Sequence, residues 1–175
     1  MQFFLTAGKI RGRVVAGAGT VSLYICYILS LILALKHLWL HGEADLFFTL
    51  GYLILLSGIL LRVGGLKQLG RYYSSFVEIR VDQKLVTEGL YSLVRHPLHL
   101  SYLMEVGGMS LISTSLLSIF LFLASLITII LRNRKEEKAL TEHFGSEYLT
   151  YMAATPSMNI LRGIMHKIRK HKKKK

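Results

Sequence analysis

Long uncharged apolar runs dominate this chain and confine it to a membrane. Val14–Leu35 contains 22 residues without a charged side chain. Leu46–Leu61 contains 16, and it extends to about Leu66 if Arg62 reaches back to the interface. A helix of about 20 apolar residues crosses a hydrocarbon core of about 30 Å. We therefore expect an all-α, polytopic membrane protein.

Pro97–Leu131 is also mostly apolar, but its 35 residues would form a helix of about 52 Å. That length is too great for one crossing of a bilayer. The small polar residues at 113–115 would provide a turn, so we expect a helical hairpin with halves of about 17 residues. The total is then about four transmembrane helices. One kinked, overlong helix is the alternative.

The composition and charge agree with this class. The chain is 52% hydrophobic, with a mean hydropathy of +0.44 and a formal net charge of +12. The basic residues lie at segment ends and in the C-terminal tail, which suits a membrane surface better than nucleic acid. Cys26 is the only cysteine, which excludes a disulfide framework and a thiolate metal cluster.

The distribution of basic residues predicts the orientation. Residues 1–13 contain three Lys or Arg, residues 62–95 contain six, and residues 132–175 contain twelve, whereas the turn at 113–115 has none. The positive-inside rule then places both termini in the cytoplasm. It also puts the beginning of the third span and the end of the fourth on the same side.

His96, His99 and Glu105 place ionisable groups near the start of the third apolar run. Such groups usually face a bundle interior or a wet cavity, because burial in hydrocarbon is costly. Pro97 suits a first helical position, with His96 at the cap and free backbone N–H groups for an anion. We expect no metal site, because the two imidazoles have no third ligand in register. Glu105 could pair with His99 or another helix, or remain protonated.

A charged run, Arg132–Glu137, follows the fourth span. Arg132 and Glu136 would be neighbours on a helix, with His143 about two turns further on the same side. Alone, this run is typical of a solvated helix end. Residues 132–155 are expected to form a soluble amphipathic helix or pair of helices, and residues 76–81 a short extended segment.

Three motifs occur in a fixed order around the predicted hairpin. Leu-Val-Thr-x-Gly-x-Tyr spans Leu85–Tyr91, and Arg-His-Pro spans Arg95–Pro97. Glu-Glu-x-x-Leu-x-x-x-Phe-Gly-x-x-Tyr-x-x-Tyr spans Glu136–Tyr151. Together they resemble the isoprenylcysteine carboxyl methyltransferase family and its relatives, the phospholipid N-methyltransferases. The resemblance covers about residues 66–156.

The resemblance implies an integral membrane methyltransferase that uses S-adenosyl-L-methionine. It also implies a cytosol-facing cofactor pocket between the Arg-His-Pro corner and the Glu-Glu helix, with a lipidic substrate entering from the bilayer. The candidate cofactor-binding residues are Arg95, His96, Pro97, Leu98, Arg132, Glu136, Glu137 and Tyr148. The candidate catalytic residues are His99, Glu105 and Glu137.

Two departures from the family pattern leave the acceptor open. The family usually reads Arg-His-Pro-x-Tyr-x-Gly, whereas this chain has His99 and Ser101 at the Tyr and Gly positions. The Val-Pro pair after the last Tyr is Thr155-Pro156. An isoprenylcysteine-like carboxylate needs no general base, whereas a phospholipid amine must lose a proton, which His99 or Glu105 could accept.

Three regions follow: a two-span N-terminal region (1–66), a methyltransferase-like core (67–156) and a polybasic tail (157–175). The tail is expected to be disordered and to bind anionic lipid, at about 1 kcal/mol per basic residue near the surface. The membrane is a prokaryotic inner membrane or the endoplasmic reticulum, and no nucleic acid partner is expected. The alternatives are an NADPH-dependent enzyme resembling the sterol reductases, or a small transporter or scaffold without catalysis.

Overall fold

The computed structural model describes residues 17–41, 45–74 and 83–172. These parts are helical, with no strand among them, which confirms the all-α prediction. The helices are α1 Gly17–His41, α2 Leu46–Leu69, α3 Pro97–Ser113, α4 Leu116–Phe144, α5 Ser146–Ala154 and α6 Ile160–Lys172. Short 3₁₀ turns occupy Gly70–Tyr72 and Gly89–Ser92.

Three helices of the described chain are long and apolar enough to cross a membrane: Gly19–Leu40 in α1, Leu46–Tyr72 through α2, and Leu116–Phe144 in α4. Their outer faces expose large apolar side chains, such as Phe120 at 67%. Lipid is the solvent that such faces require, and the protein is an integral membrane protein. α3 has 17 residues, and the fourth span remains a prediction.

The predicted turn of the C-terminal hairpin is confirmed. α3 ends at Ser113, and Thr114 adopts the left-handed conformation (φ 46°), which terminates the helix. Ser115 is extended, and α4 begins at the next residue. At the other end of α3, Pro97 occupies the first turn with His96 at the cap, as predicted. The short link makes α3 and α4 neighbours in the bundle.

Two predicted boundaries differ from the structure. The charged segment from Arg132 does not begin a separate soluble helix, because α4 continues through it to Phe144 and stops where Gly145 takes φ +57°. The tail is not disordered over its described part, since α6 forms from Ile160. Good helix formers such as Lys, Arg and Leu favour helix both in the last part of α4 and in α6. The predicted extended segment at 76–81 lies outside the described residues.

Three glycines of α2 set its distance from α3. Gly51, Gly58 and Gly65 recur every seven residues and are buried against that helix. A Cβ on Gly51 would lie 2.7 Å from the Gly108 carbonyl oxygen, and one on Gly58 would lie 2.9 Å from that of Ser101. Close backbone approach of this kind is how helices pack in lipid.

Candidate active site

The Arg-His-Pro corner is fixed to the segment between α5 and α6 by its own backbone. The Arg95 N–H donates to the Pro156 carbonyl (2.9 Å), and the His96 N–H donates to the Ser157 carbonyl (3.0 Å). These bonds occupy backbone groups that precede α3 and would otherwise lack partners. The C-terminal region therefore folds back under the start of α3.

Side chains join the same corner to α4. Arg95 Nη2 lies 2.7 Å and Arg95 Nε lies 3.1 Å from Oε1 of Glu137, and His96 Nε2 donates to that oxygen over 3.1 Å. Arg95 Nη1 also donates to the carbonyls of Met152 (3.0 Å) and Thr155. The predicted proximity of the two charged stretches is thereby confirmed.

A pocket opens beside this junction. Glu136 lines it, whereas Glu137 is held by Arg95 and His96 and is not part of its wall. The adjacent carboxylates therefore differ in their environment. The predicted residues that line the pocket are Arg95, His96, Pro97, Leu98, His99, Arg132, Glu136 and Tyr148. Apolar walls come from Leu23, Leu69, Leu85, Val86, Leu140 and Phe144.

Two stacked imidazoles form one edge of the pocket. The rings of His96 and His99 are 5.5 Å apart at 21°. His99 Nδ1 donates to Oδ1 of Asn133, which lies on α4. Nε2 of His99 lies 3.8 Å from one oxygen of Glu136, and Nδ1 of His96 lies 3.9 Å from the other. Glu136 therefore faces both rings.

Arg132 brings α1 into the site. Its side chain is buried and lines the pocket, and Nη1 donates to Oγ1 of Thr20 over 2.6 Å. The motifs from Leu85 onward gave no reason to include α1. A Thr within an apolar run was its only signal, and Thr is too common in such helices to be informative.

Tyr148 presents a buried hydroxyl to the same space. The residue is 1% exposed, and Oη has no hydrogen-bond partner among the described residues. Burial, followed by the negative charge of Glu137, raises the pKa of this phenol, which keeps the hydroxyl protonated as a donor. By contrast, Tyr151 donates to the Tyr91 carbonyl (2.6 Å). A buried orphan hydroxyl is costly unless a ligand satisfies it.

Glu105 lies apart from these groups. Arg62 holds its carboxylate with two hydrogen bonds (2.7 and 3.0 Å), and the Tyr27 hydroxyl donates to Oε2 (2.9 Å). Of the pairings considered for Glu105, the structure shows the one with another helix. Three donors from α1 and α2 satisfy this side chain, so it joins helices inside the bundle.

Asn133 is a site residue that the motifs did not reveal. It is buried and orients His99 from within the Arg-Asn-Arg-Lys-Glu-Glu run. Its signal was helical spacing: position 133 precedes Glu136 and Glu137 by three and four residues, which places all three side chains on one face of α4. An amide within a charged run is easily mistaken for a solvated residue.

Residues 49–142 match the model of the isoprenylcysteine carboxyl methyltransferase (ICMT) family. That range covers more than half of the chain and includes the Arg-His-Pro corner, the hairpin and both glutamates. The chain belongs to the isoprenylcysteine carboxyl methyltransferase family. The resemblance in the motifs is thus confirmed at the level of the family.

Named relatives agree with this placement. The chain is 28% identical over 126 residues to protein-S-isoprenylcysteine O-methyltransferase B of Arabidopsis thaliana, covering 70% of this chain and 60% of that protein. It is 33% identical over 106 residues to protein-S-isoprenylcysteine O-methyltransferase of Saccharomyces cerevisiae, covering 59% and 44%. For the Schizosaccharomyces pombe protein the identity is 32% over 112 residues, covering 62% and 47%. The chain thus spans about half the length of these relatives.

Proposed function

We propose that the protein is a membrane methyltransferase that uses S-adenosyl-L-methionine and methylates a lipid-linked carboxylate, of which prenylated cysteine is the favoured class. Family membership supports the reaction type. The single structural observation that carries the proposal is the pocket between the Arg-His-Pro corner and α4, where Glu136 faces inward and Glu137 fixes the corner.

The residues of this pocket fit such a cofactor. S-adenosyl-L-methionine carries cationic and hydroxyl donors, for which Glu136 is an acceptor. It also carries acceptor atoms, for which the buried Tyr148 hydroxyl and the Arg132 guanidinium are donors. Leu98, Leu140 and other apolar side chains of the wall would cover its uncharged parts. An unsatisfied donor inside the pocket is the feature expected of a binding site.

The bound cofactor supplies an activated methyl group on a sulfonium, and the protein needs chiefly to position the acceptor and exclude water. Arg95 and Glu137 hold the corner rigid, because together they join three segments of the chain. His96 is 5% exposed, so little of its ring is open to water.

The groups around the pocket favour a carboxylate acceptor over an amine. Arg132 lines it, and a cationic side chain attracts a carboxylate and repels a protonated amine. An amine also needs a base, but Glu105 is held by Arg62. Glu137 is likewise held by Arg95. His99 is the remaining candidate base, and a phospholipid amine is the second acceptor class.

Variants of both pocket walls test cofactor binding. We expect Glu136→Ala and His96→Ala to abolish detectable binding of S-adenosyl-L-methionine in isothermal titration calorimetry. Glu142→Ala, an exposed glutamate on the same helix, is the matched control and should bind as wild type does. A size-exclusion profile in detergent shows that each variant is folded. Unchanged cofactor affinity in both pocket variants contradicts this site.

Acceptor identity is tested with labelled S-adenosyl-L-methionine. The purified protein is incubated separately with a farnesylated cysteine, with phosphatidylethanolamine and with total membrane lipid, and products are identified by mass spectrometry. We expect a methyl ester on the farnesylated cysteine. Methylation of phosphatidylethanolamine alone supports the amine class and a basic role for His99. Heat protection by NADPH but not by S-adenosyl-L-methionine supports the reductase alternative.

The proposal extends to the C-terminal region, where α6 lies on an anionic membrane surface. Leu161, Ile164, Met165 and Ile168 form an exposed apolar stripe at helical spacing. Arg162 and Lys167 flank it, with further basic residues to the end of the chain. An amphipathic basic helix binds the interface through both faces.

Hydrogen exchange tests this part of the proposal. The protein is placed in nanodiscs of phosphatidylcholine, with and without phosphatidylserine, and exchange is followed by mass spectrometry. We expect slower exchange across residues 160–172 in the anionic nanodiscs and the same exchange across α3 in both. Equal exchange of residues 160–172 in the two lipids contradicts anionic-lipid binding by α6.

A further inference from the structure

Three atoms with available electron pairs converge at the edge of the pocket. One nitrogen of His96, one nitrogen of His99 and one oxygen of Glu136 all lie within 4.8 Å of one another. The closest pairs are His96 Nδ1 with Glu136 Oε1 at 3.9 Å and His99 Nε2 with Glu136 Oε2 at 3.8 Å. Both of these nitrogen–oxygen distances are longer than a hydrogen bond.

The other ring nitrogens are committed as donors, and this fixes which atoms face Glu136. His96 Nε2 must donate to Glu137, because a carboxylate only accepts. Asn133 directs its Nδ2 to the Met158 sulfur (3.3 Å), which leaves Oδ1 to accept from His99 Nδ1. In the neutral rings, His96 Nδ1 and His99 Nε2 are therefore unprotonated and each carries a lone pair. These two nitrogens and the Glu136 carboxylate are three acceptors that face one another.

This arrangement is the one that metal-binding histidines require. A ligating imidazole donates its second N–H to a carboxylate or carbonyl, which orients the ring and raises its basicity. Both rings satisfy that condition here, through Glu137 and Asn133. Bonds of about 2.0–2.2 Å in a tetrahedron place ligand atoms about 3.4 Å apart. The three ligand atoms here lie within 4.8 Å of one another, so the side chains would have to draw together by up to about 1.4 Å to bind a metal.

The expectation of no metal rested on two imidazoles, His96 and His99, that had no third ligand near them in the sequence. The fold supplies the third ligand from α4, 37 residues after His99. His99 itself stands where the family pattern has Tyr, so the ligand set is a property of this chain.

We propose that His96, His99 and Glu136 bind one divalent transition metal of the Zn²⁺ type. Two imidazoles and one carboxylate leave a fourth tetrahedral position for water or an oxygen ligand. The three ligating groups all line the pocket, so that position is accessible from it. This ligand set disfavours Mg²⁺, which prefers oxygen ligands in an octahedron.

Zinc itself is the probe. The full-length protein in detergent is stripped with a chelator, and Zn²⁺ affinity is then measured by competition with a fluorescent indicator, with Mg²⁺ in place of Zn²⁺ as a control. We expect one tight Zn²⁺ per chain. His99→Tyr and Glu136→Gln should lower the affinity at least tenfold, and Asn133→Ala about tenfold or more, because it orients His99.

His143→Ala is the matched control, since His143 is exposed on the same helix. It should retain wild-type Zn²⁺ affinity, which separates the site from this surface histidine of α4. Size-exclusion profiles and thermal unfolding show that each variant is folded, and Glu136→Gln keeps the side-chain volume if His99→Tyr does not fold. No tight Zn²⁺ in the wild type overturns the proposal. Equal affinity in the wild type, His99→Tyr and Glu136→Gln also overturns it.

Cofactor binding is measured separately on the same samples. Cofactor binding without any Zn²⁺ binding in the wild type refutes the metal site alone. Zn²⁺ binding by a wild type that never binds the cofactor refutes the proposed methyltransferase function alone.

Discussion

Nη2 of Arg95 lies 2.7 Å from Oε1 of Glu137, although 42 residues separate them in the sequence. The bond joins the residue before the His96 cap to the C-terminal part of α4. Arg95 also donates to the Met152 carbonyl, near the end of α5. One guanidinium thus sets the positions of both pocket walls. This role requires a planar group with several donors, which Lys cannot reproduce.

The adjacent glutamates should therefore differ when each is replaced. Glu137→Gln weakens the charge-assisted bonds to Arg95 and should lower the free energy of unfolding by about 1.5–3 kcal/mol. Glu136→Gln should change it by no more than about 0.5 kcal/mol, since Glu136 is partly exposed. Both should weaken cofactor binding. Thermal unfolding in detergent and calorimetry measure the two effects, and equal losses of stability would contradict the division of roles.

The two neighbouring tyrosines of α5 should also separate binding from stability. Tyr148→Phe removes a buried hydroxyl that lacks a partner among the residues that the structure describes, so stability should be unchanged or higher, while cofactor affinity falls about 3- to 10-fold. Tyr151→Phe is the matched control. It loses the bond to the Tyr91 carbonyl and should lower stability by about 1 kcal/mol. Wild-type cofactor affinity in Tyr148→Phe would exclude a ligand contact for that hydroxyl.

The pair formed by the half-buried Arg62 and the buried Glu105 should behave as a structural unit. Glu105→Leu leaves Arg62, whose side chain is 34% exposed, without its partner and should cost about 1–3 kcal/mol. The double variant Arg62→Met with Glu105→Leu should recover much of that loss, because no unpaired charge remains. The free energy of unfolding in detergent is measured for the wild type, the two single variants and the double variant, which together form a double-mutant cycle. A folded Glu105→Leu that loses methyl transfer but not stability would restore Glu105 as a catalytic candidate.

Contact between α2 and α3 should depend on Gly58. Gly58→Leu forces a side chain against the Ser101 carbonyl and Met104, so we expect a clear fall in the unfolding temperature or no folded protein. Ser57→Leu is the control one residue away. Ser57 is exposed and its hydroxyl donates to the Leu53 carbonyl of its own helix, so an apolar replacement should be tolerated. Equal unfolding temperatures for the two variants would contradict close packing at Gly58.

Local features of the sequence predicted much of the fold. The hairpin turn at 113–115 followed from helix length against bilayer thickness, and the helix start at Pro97 followed from its missing N–H. The segment after Leu131 was harder, because charge marks the end of a membrane span but does not end a helix. α4 continues through these charges because no residue there interrupts its backbone hydrogen bonds before Gly145.

The sequence by itself determined that the chain crosses a membrane as helices, since uncharged runs of that length have no other stable place. It also indicated which charged stretches share one side, because basic residues mark the cytoplasmic face. Only the tertiary structure decided what each charged group does there. It turned Glu105 toward Arg62, Glu137 toward Arg95, and Glu136 toward two imidazoles. A carboxylate's role depends on the atoms within a few ångströms of it, and those atoms come from distant parts of the chain.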